Sequence, residues 1–157
     1  MEDVAMTNVV PREQFEQARD LNNQREVLVR LRESWGIAKV YTLPRAYGLD
    51  YALICEGELH SFVEVKCRDL TFGYGDGYYI ALQKVVRAQQ LTQASDVQSL
   101  LVVRFRDGVI SWAPLCPRRR VTFFGRTFPR DAEDHEPCVV IPWRAFYPLD
   151  ALQRIEP

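Results

Sequence analysis

The chain has no excess of either charge: 20 Lys and Arg stand against 21 Asp and Glu in 157 residues. Global attraction to a polyanion is therefore absent, and any such attraction has to come from local clusters. Histidine is scarce, with only His60 and His135, and no Gly-x-Ser-x-Gly segment occurs. A hydrolase triad or a His-bound zinc enzyme has little support. The four cysteines, Cys55, Cys67, Cys116 and Cys138, never fall at C-x-x-C spacing. That argues against a zinc site and for free thiols in a reducing compartment. No apolar run is long enough to cross a bilayer, and Met1-Glu2-Asp3 lacks the basic start and apolar stretch of a signal peptide. The expected setting is a cytoplasm, without a membrane. Gly73, Gly75 and Gly77 crowd one loop but form no phosphate-binding fingerprint, and no internal repeat is present.

What the chain does contain is enough apolar residue, 47% of the total, to build the core of one domain. Pro11 to Trp35 reads as a helix, with Phe15, Ala18, Leu21, Leu28, Val29 and Leu31 at helical spacing, Pro11 in the first turn and Gly36 beyond the last. Ala38 to Leu43 reads as a short strand. Tyr78 to Thr92 carries Tyr78, Ala81, Val85, Ala88 and Thr92 on one stripe, which predicts a second helix. Gln98 to Phe105 and Val109 to Ala113 are apolar strands joined across Asp107-Gly108, a strong hairpin signal. The expected core spans about residues 11–113, and a β-rich extension covers 114–157, with Cys138 to Ile141 as one more strand and Asp131 to Glu136 as an acidic loop.

Between the first strand and the second helix lies the most informative segment. Leu49-Asp50-Tyr51-Ala52-Leu53-Ile54-Cys55 and Leu59-His60-Ser61-Phe62-Val63-Glu64-Val65-Lys66-Cys67 flank Glu56-Gly57-Glu58 and read as a β-hairpin. Asp50, Glu64 and Lys66 stand where apolar residues belong, and an ion buried in a strand costs several kcal/mol unless paired or metal-bound. Strand parity puts Glu64 and Lys66 on one face. Asp50 joins them if a three-residue connection sets Cys55 opposite Leu59; a two-residue loop would need a bulge to restore the phase. His60 is expected on the face of Phe62 and Glu64, in a structural role. The bland alternative is the solvent face of an edge strand, with Asp50 capping a turn.

A helix, three strands, a helix and a strand, with Asp on the second strand and Glu-x-Lys on the third, resembles the PD-(D/E)XK nuclease superfamily. The resemblance runs from about Asn22 to Phe105 and is nearest to small resolvase-like and phage-type members, although Leu49-Asp50 stands where the family name has Pro-Asp. It implies an α/β fold with a restriction-endonuclease-like αβββαβ core, a central mixed sheet flanked by helices. It also implies a metal-dependent nuclease that hydrolyses DNA phosphodiester bonds. Asp50, Glu64 and the Val65 carbonyl would hold Mg²⁺ or Mn²⁺, and Lys66 would orient the attacking water or stabilise transition-state charge. Glu26 would be the helix-borne acid, a role whose helical phase Glu33 shares, and Gln83 would orient the active-site lysine. A homo-oligomer and a phage-like source fit the same resemblance.

Further contacts to DNA are expected from Lys84 and Arg87, at i, i+3 on the second helix. Arg118, Arg119, Arg120 and Arg126, interleaved with Phe123, Phe124 and Phe128, read either as a groove-lining hairpin that neutralises phosphate or as an amphipathic hairpin whose Phe residues pack into the core, the better reading for the Phe residues, while the Arg residues face water. The functional alternative is a non-catalytic module of the same fold that binds nucleic acid or protein.

Overall fold

Gly36, at φ +64°, ends the first helix in the left-handed conformation that a residue without Cβ adopts freely, and sends the chain back as a strand. In a computed structural model, residues 12–115, 121–125 and 135–150 are described, with side chains for 21–115 and 137–150. Helix α1 (Arg12–Trp35) is followed by strand β1 (Lys39–Thr42), a 3-10 turn (Arg45–Tyr47), β2 (Tyr51–Cys55) and β3 (Glu58–Cys67). Then come β4 (Tyr78–Ala81), α2 (Leu82–Ser95), β5 (Ser99–Arg104) and β6 (Ile110–Pro114). β7 (Val121–Gly125), β8 (His135–Ile141) and a two-residue β9 (Tyr147–Pro148) complete the order.

Six strands form the main sheet in the order β1-β2-β3-β5-β6-β9, and β4-β8-β7 form a second, smaller one. Only β3 and β5 run parallel, so the main sheet is mixed. Parallel neighbours need a long crossover, and α2 lies within it. Side chains of β3 alternate between two cores. Val63 and Val65 join Val27 and Leu31 of α1, with Leu53, Leu100 and Val102. Phe62 joins Val85 and Ala88 of α2, with Leu101, Val103 and the second sheet's Tyr78, Ile80, Val139 and Ile141. Burial of both faces explains why β5 reads as an unbroken apolar run, Leu100 to Val103.

Three expectations are corrected. The hairpin turns in two residues, Glu56 and Gly57, both at positive φ (51° and 82°), with Cys55 opposite Glu58. A register shift after Leu53 then sets Leu53 against Ser61 and Ala52 against Phe62, so the phase is recovered by a bulge and not by a longer loop. The extra residue is His60. Its ring lies 5.7 Å from that of Trp35, on the α1 side, and Nδ1 is 3.0 Å from Ser61 Oγ. His60 is therefore opposite Phe62 and Glu64, because the bulge interrupts alternation.

The third correction concerns the second helix, which starts at Leu82. Tyr78-Tyr79-Ile80-Ala81 pairs instead with β8, residue for residue from Tyr78↔Ile141 to Ala81↔Cys138. Two tyrosines and an isoleucine suit a pleated surface, and a Cβ on Gly77 would collide with the Ile141 carbonyl. The core order is thus αββββαβ, with the added strand serving the second sheet. That sheet draws β7 and β8 from the C-terminal extension, and β8 begins at His135, inside the stretch expected to be an acidic loop. Pro11, Cys116, Arg118, Arg119, Arg120, Arg126, Phe128 and Asp131 to Asp134 lie outside the described residues, as do the side chains of Phe15, Ala18, Phe123 and Phe124. No described helix is long and apolar enough to cross a membrane.

Candidate active site

The ladder between β2 and β3 runs one residue beyond the strand itself, because Asp50 N donates to the Val63 carbonyl at 3.1 Å. This sets Asp50 beside Glu64. At that point β2 has no further residue to pair with Val65, and the Asp50 side chain takes its place: Oδ2 accepts from Val65 N at 2.9 Å. In a strand, residues i and i+2 direct their amide and carbonyl groups to the same neighbour, so the Val65 carbonyl, like that of Val63, faces the Asp50 edge.

Glu64 projects from the other face of β3, toward α2, and its side chain has no exposed surface. Lys66 Nζ stands 2.8 Å from Glu64 Oε1. Lys84 Nζ, from α2, stands 3.1 Å from Oε1 and 3.2 Å from Oε2, and donates to the Gly48 carbonyl at 2.8 Å. Two ammonium groups thus offset the several kcal/mol that burying a carboxylate costs. Glu64 Oε1 nevertheless makes no well-aligned hydrogen bond. The buried Tyr78 borders the same space: burial raises the pKa of its hydroxyl, Arg68 opposes that through charge and a hydrogen bond, and Glu64 adds to the rise.

The sequence matches, over residues 10–149, the family described as "Phage putative PDDEXK endonuclease". The chain belongs to this PDDEXK endonuclease family. Among solved structures it is similar to Hjc, a Holliday junction resolvase from the archaeal hyperthermophile Archaeoglobus fulgidus, at 15% identity and a TM-score of 0.49, over 62% of this chain and 73% of that one. No curated protein matches. Of the residues expected from the sequence, Asp50 immediately precedes β2 and Glu64 and Lys66 lie on β3, where Lys66 meets Glu64 and Asp50 meets the Val65 amide.

Among the described residues no group of three or more His, Cys, Asp or Glu converges. The acidic donors at the site number two, which is the usual protein share for Mg²⁺, a cation that keeps several waters and leans on substrate phosphate. Glu64 Oε1, buried and without an aligned donor, is an acceptor that such a cation would use. The donor set therefore fits a hard divalent cation and offers nothing to a soft one.

Other expected residues fall differently. Glu26 sits on the α1 side and pairs with Arg104, Oε2 to Nε at 3.2 Å, so its partner is a β5 arginine and not the Asp50–Glu64 pair; Glu33 is exposed. The physical reason is that α1 covers the face that Val63 and Val65 present, whereas Glu64 and Lys66 point to the other. Gln83 is exposed on α2, and it is the next residue, Lys84, that turns inward. Starting the helix at Leu82 puts Lys84, Val85 and Ala88 on the buried side. Lys84 is therefore held by Glu64 and the Gly48 carbonyl. Arg87 packs its aliphatic carbons on Gly48 and directs Nη1 to Gln90 Oε1 at 3.3 Å. Sequence reasoning missed Tyr78 as a site residue and expected Lys84 as a DNA contact, not as the partner of Glu64; the i, i+3 spacing of Lys84 and Arg87 carried a signal of basicity but none of direction.

Proposed function

We propose that the protein hydrolyses DNA phosphodiester bonds with Mg²⁺ or Mn²⁺ held by the Asp50 and Glu64 carboxylates and the Val65 carbonyl. The observation that carries this reading is the fully buried Glu64 carboxylate beside Lys66, at a strand end where Asp50 bonds Val65 N. An apolar residue of similar size would stabilise the fold as well or better. Charges kept at such a position are a functional signal.

Each side chain has a task its geometry supports. Asp50, anchored through Oδ2 on Val65 N, is oriented by the backbone and keeps its other oxygen for a ligand. Glu64 is held by ammonium groups that compensate its charge while substrate and cation are away. Lys66, about a quarter exposed (28%), reaches from Glu64 toward solvent, where its ammonium would orient a water or stabilise charge on the phosphate oxygens. A divalent cation bound here supplies Lewis-acid polarisation of the phosphate and a lowered pKa for a bound water. Lys84 secures Glu64 from α2.

The test is a gel assay on linear, circular, single-stranded and branched DNA with Mg²⁺, with Mn²⁺ and with EDTA. Cation-dependent nicking or degradation is expected. Metal binding is read separately by calorimetry with Mn²⁺, where heat lost in Asp50→Asn and Glu64→Gln supports the assignment. A chain that binds DNA but neither takes up Mn²⁺ nor cuts is a non-catalytic module.

A further inference from the structure

Next to Gly48, the 3-10 turn Arg45–Tyr47 and the middle of α2 border an open hollow of about 340 Å³ lined by Ala46, Tyr47, Arg87, Gln90 and Leu91. It joins the site just described through Gly48. The Gly48 carbonyl accepts from Lys84, which holds Glu64, and a Cβ on Gly48 would meet Arg87 Cγ at 2.6 Å. From Glu64 to the hollow is thus a chain of direct contacts.

The lining combines three chemistries. Tyr47 leaves 46% of its surface open, an aromatic face that the core does not use. Arg87 and Gln90, one helical turn apart, bring a guanidinium and a primary amide to the rim. Ala46 and Leu91 supply an aliphatic floor. A tyrosine face stacks on any base, a guanidinium stacks or donates, and a glutamine amide offers a donor and an acceptor to a base edge. A nucleobase meets all three at once. Arg87 and Gln90 bond each other, Nη1 to Oε1 at 3.3 Å, and an aliphatic side chain from a protein partner would leave their remaining donors unused. A base still stacked and paired in a duplex has its faces and edge occupied and has to leave the helix to enter such a site.

We propose that this hollow receives one unpaired nucleobase beside the scissile phosphate, so that the protein selects DNA with an unstacked nucleotide next to the cut over fully paired duplex. The position of the phosphate rests on the nuclease reading above; the base site does not need cleavage to be observed.

The experiment titrates the full-length protein, in EDTA so that nothing is cut, into oligonucleotides carrying a single 2-aminopurine. The probe base is either paired within a duplex, extruded in a one-nucleotide bulge, or in a single strand. Stacking on Tyr47 should quench the unpaired probes, and these should bind about tenfold tighter than the paired one. Tyr47→Ala should lose the quench and about tenfold in affinity, and Tyr47→Phe should keep both. Gln90→Leu, an exposed change on the same rim, should weaken discrimination between bases. Equal affinity for paired and unpaired probes, an unchanged quench in Tyr47→Ala, or no binding at all overturns the proposal. Cleavage is scored apart. Cation-dependent cutting without any preference or quench refutes the base site and leaves the nuclease reading standing, whereas quenching without cutting under any divalent cation does the reverse.

Discussion

Lys84 and Glu64 tie the second helix to the central strand: one ammonium from α2 meets both carboxylate oxygens of β3, at 3.1 and 3.2 Å, while also holding the Gly48 carbonyl at 2.8 Å. The carboxylate it meets is wholly buried, and the lysine itself is one-third exposed (33%). One side chain therefore links the helix, the strand and the loop that leads into Asp50.

Lys84→Met should remove that link without changing the shape of the site. Losing one of two charge-assisted partners of a buried carboxylate is expected to cost about 1–3 kcal/mol. Urea unfolding should show a lower midpoint at unchanged slope. Lys84→Arg should recover part of the loss, because its charge is kept while the bond to Gly48 is reshaped.

Asp50→Asn, Glu64→Gln and Lys66→Ala should each lower DNA cleavage by at least about 100-fold. Circular dichroism should show the same folded spectrum for the Asn and Gln variants. Activity within about threefold of the wild type in any of the three would contradict the roles assigned above.

His60 gives a pH signature. Partial burial lowers its pKa from the ordinary 6.5, although the residue keeps substantial contact with solvent, so the unfolded chain takes up the proton at a somewhat higher pH than the folded one and the effect is small. Stability is then at its full value above about pH 7 and falls as the pH drops through 6.5 toward the folded value. His60→Phe, which keeps a ring against Trp35, should show a smaller drop in melting temperature between about pH 7.5 and about pH 5.5 than the wild type. Equal drops would mean that other groups carry the dependence.

Gly48→Ala should act twice. The residue sits at φ +78°, a left-handed conformation that costs a side chain about 1–2 kcal/mol, and its new Cβ would displace Arg87. A lower melting temperature is expected together with weaker binding of the unpaired-base probes. Gly36→Ala, at φ +64° but with open space for a Cβ, should share the strain and spare the binding.

The core reading of the fold came from periodicity. Alternation in Phe62 to Lys66, the unbroken apolar run of β5 and the punctuation of α1 by Gly36 are local signals, because a face that is buried dictates its residues one by one. The start of α2 was not legible. Tyr78 and Ala81 fit a helical stripe as well as they fit a strand, and only β8, some sixty residues away in the chain, makes the strand the better answer.

The site divided in the same way. The expectation that an acid beginning one strand and an acid and a lysine ending the next form one site rests on a period of two and the chemistry of buried charge, both properties of the residues alone. Which turn joins them, that His60 is the extra residue, and that Glu26 finds Arg104 while Lys84 finds Glu64 were decided by three-dimensional packing. A helix displays its side chains all round, and the direction in which each one finds a partner depends on which face the sheet covers, a long-range matter that no window of neighbouring residues contains.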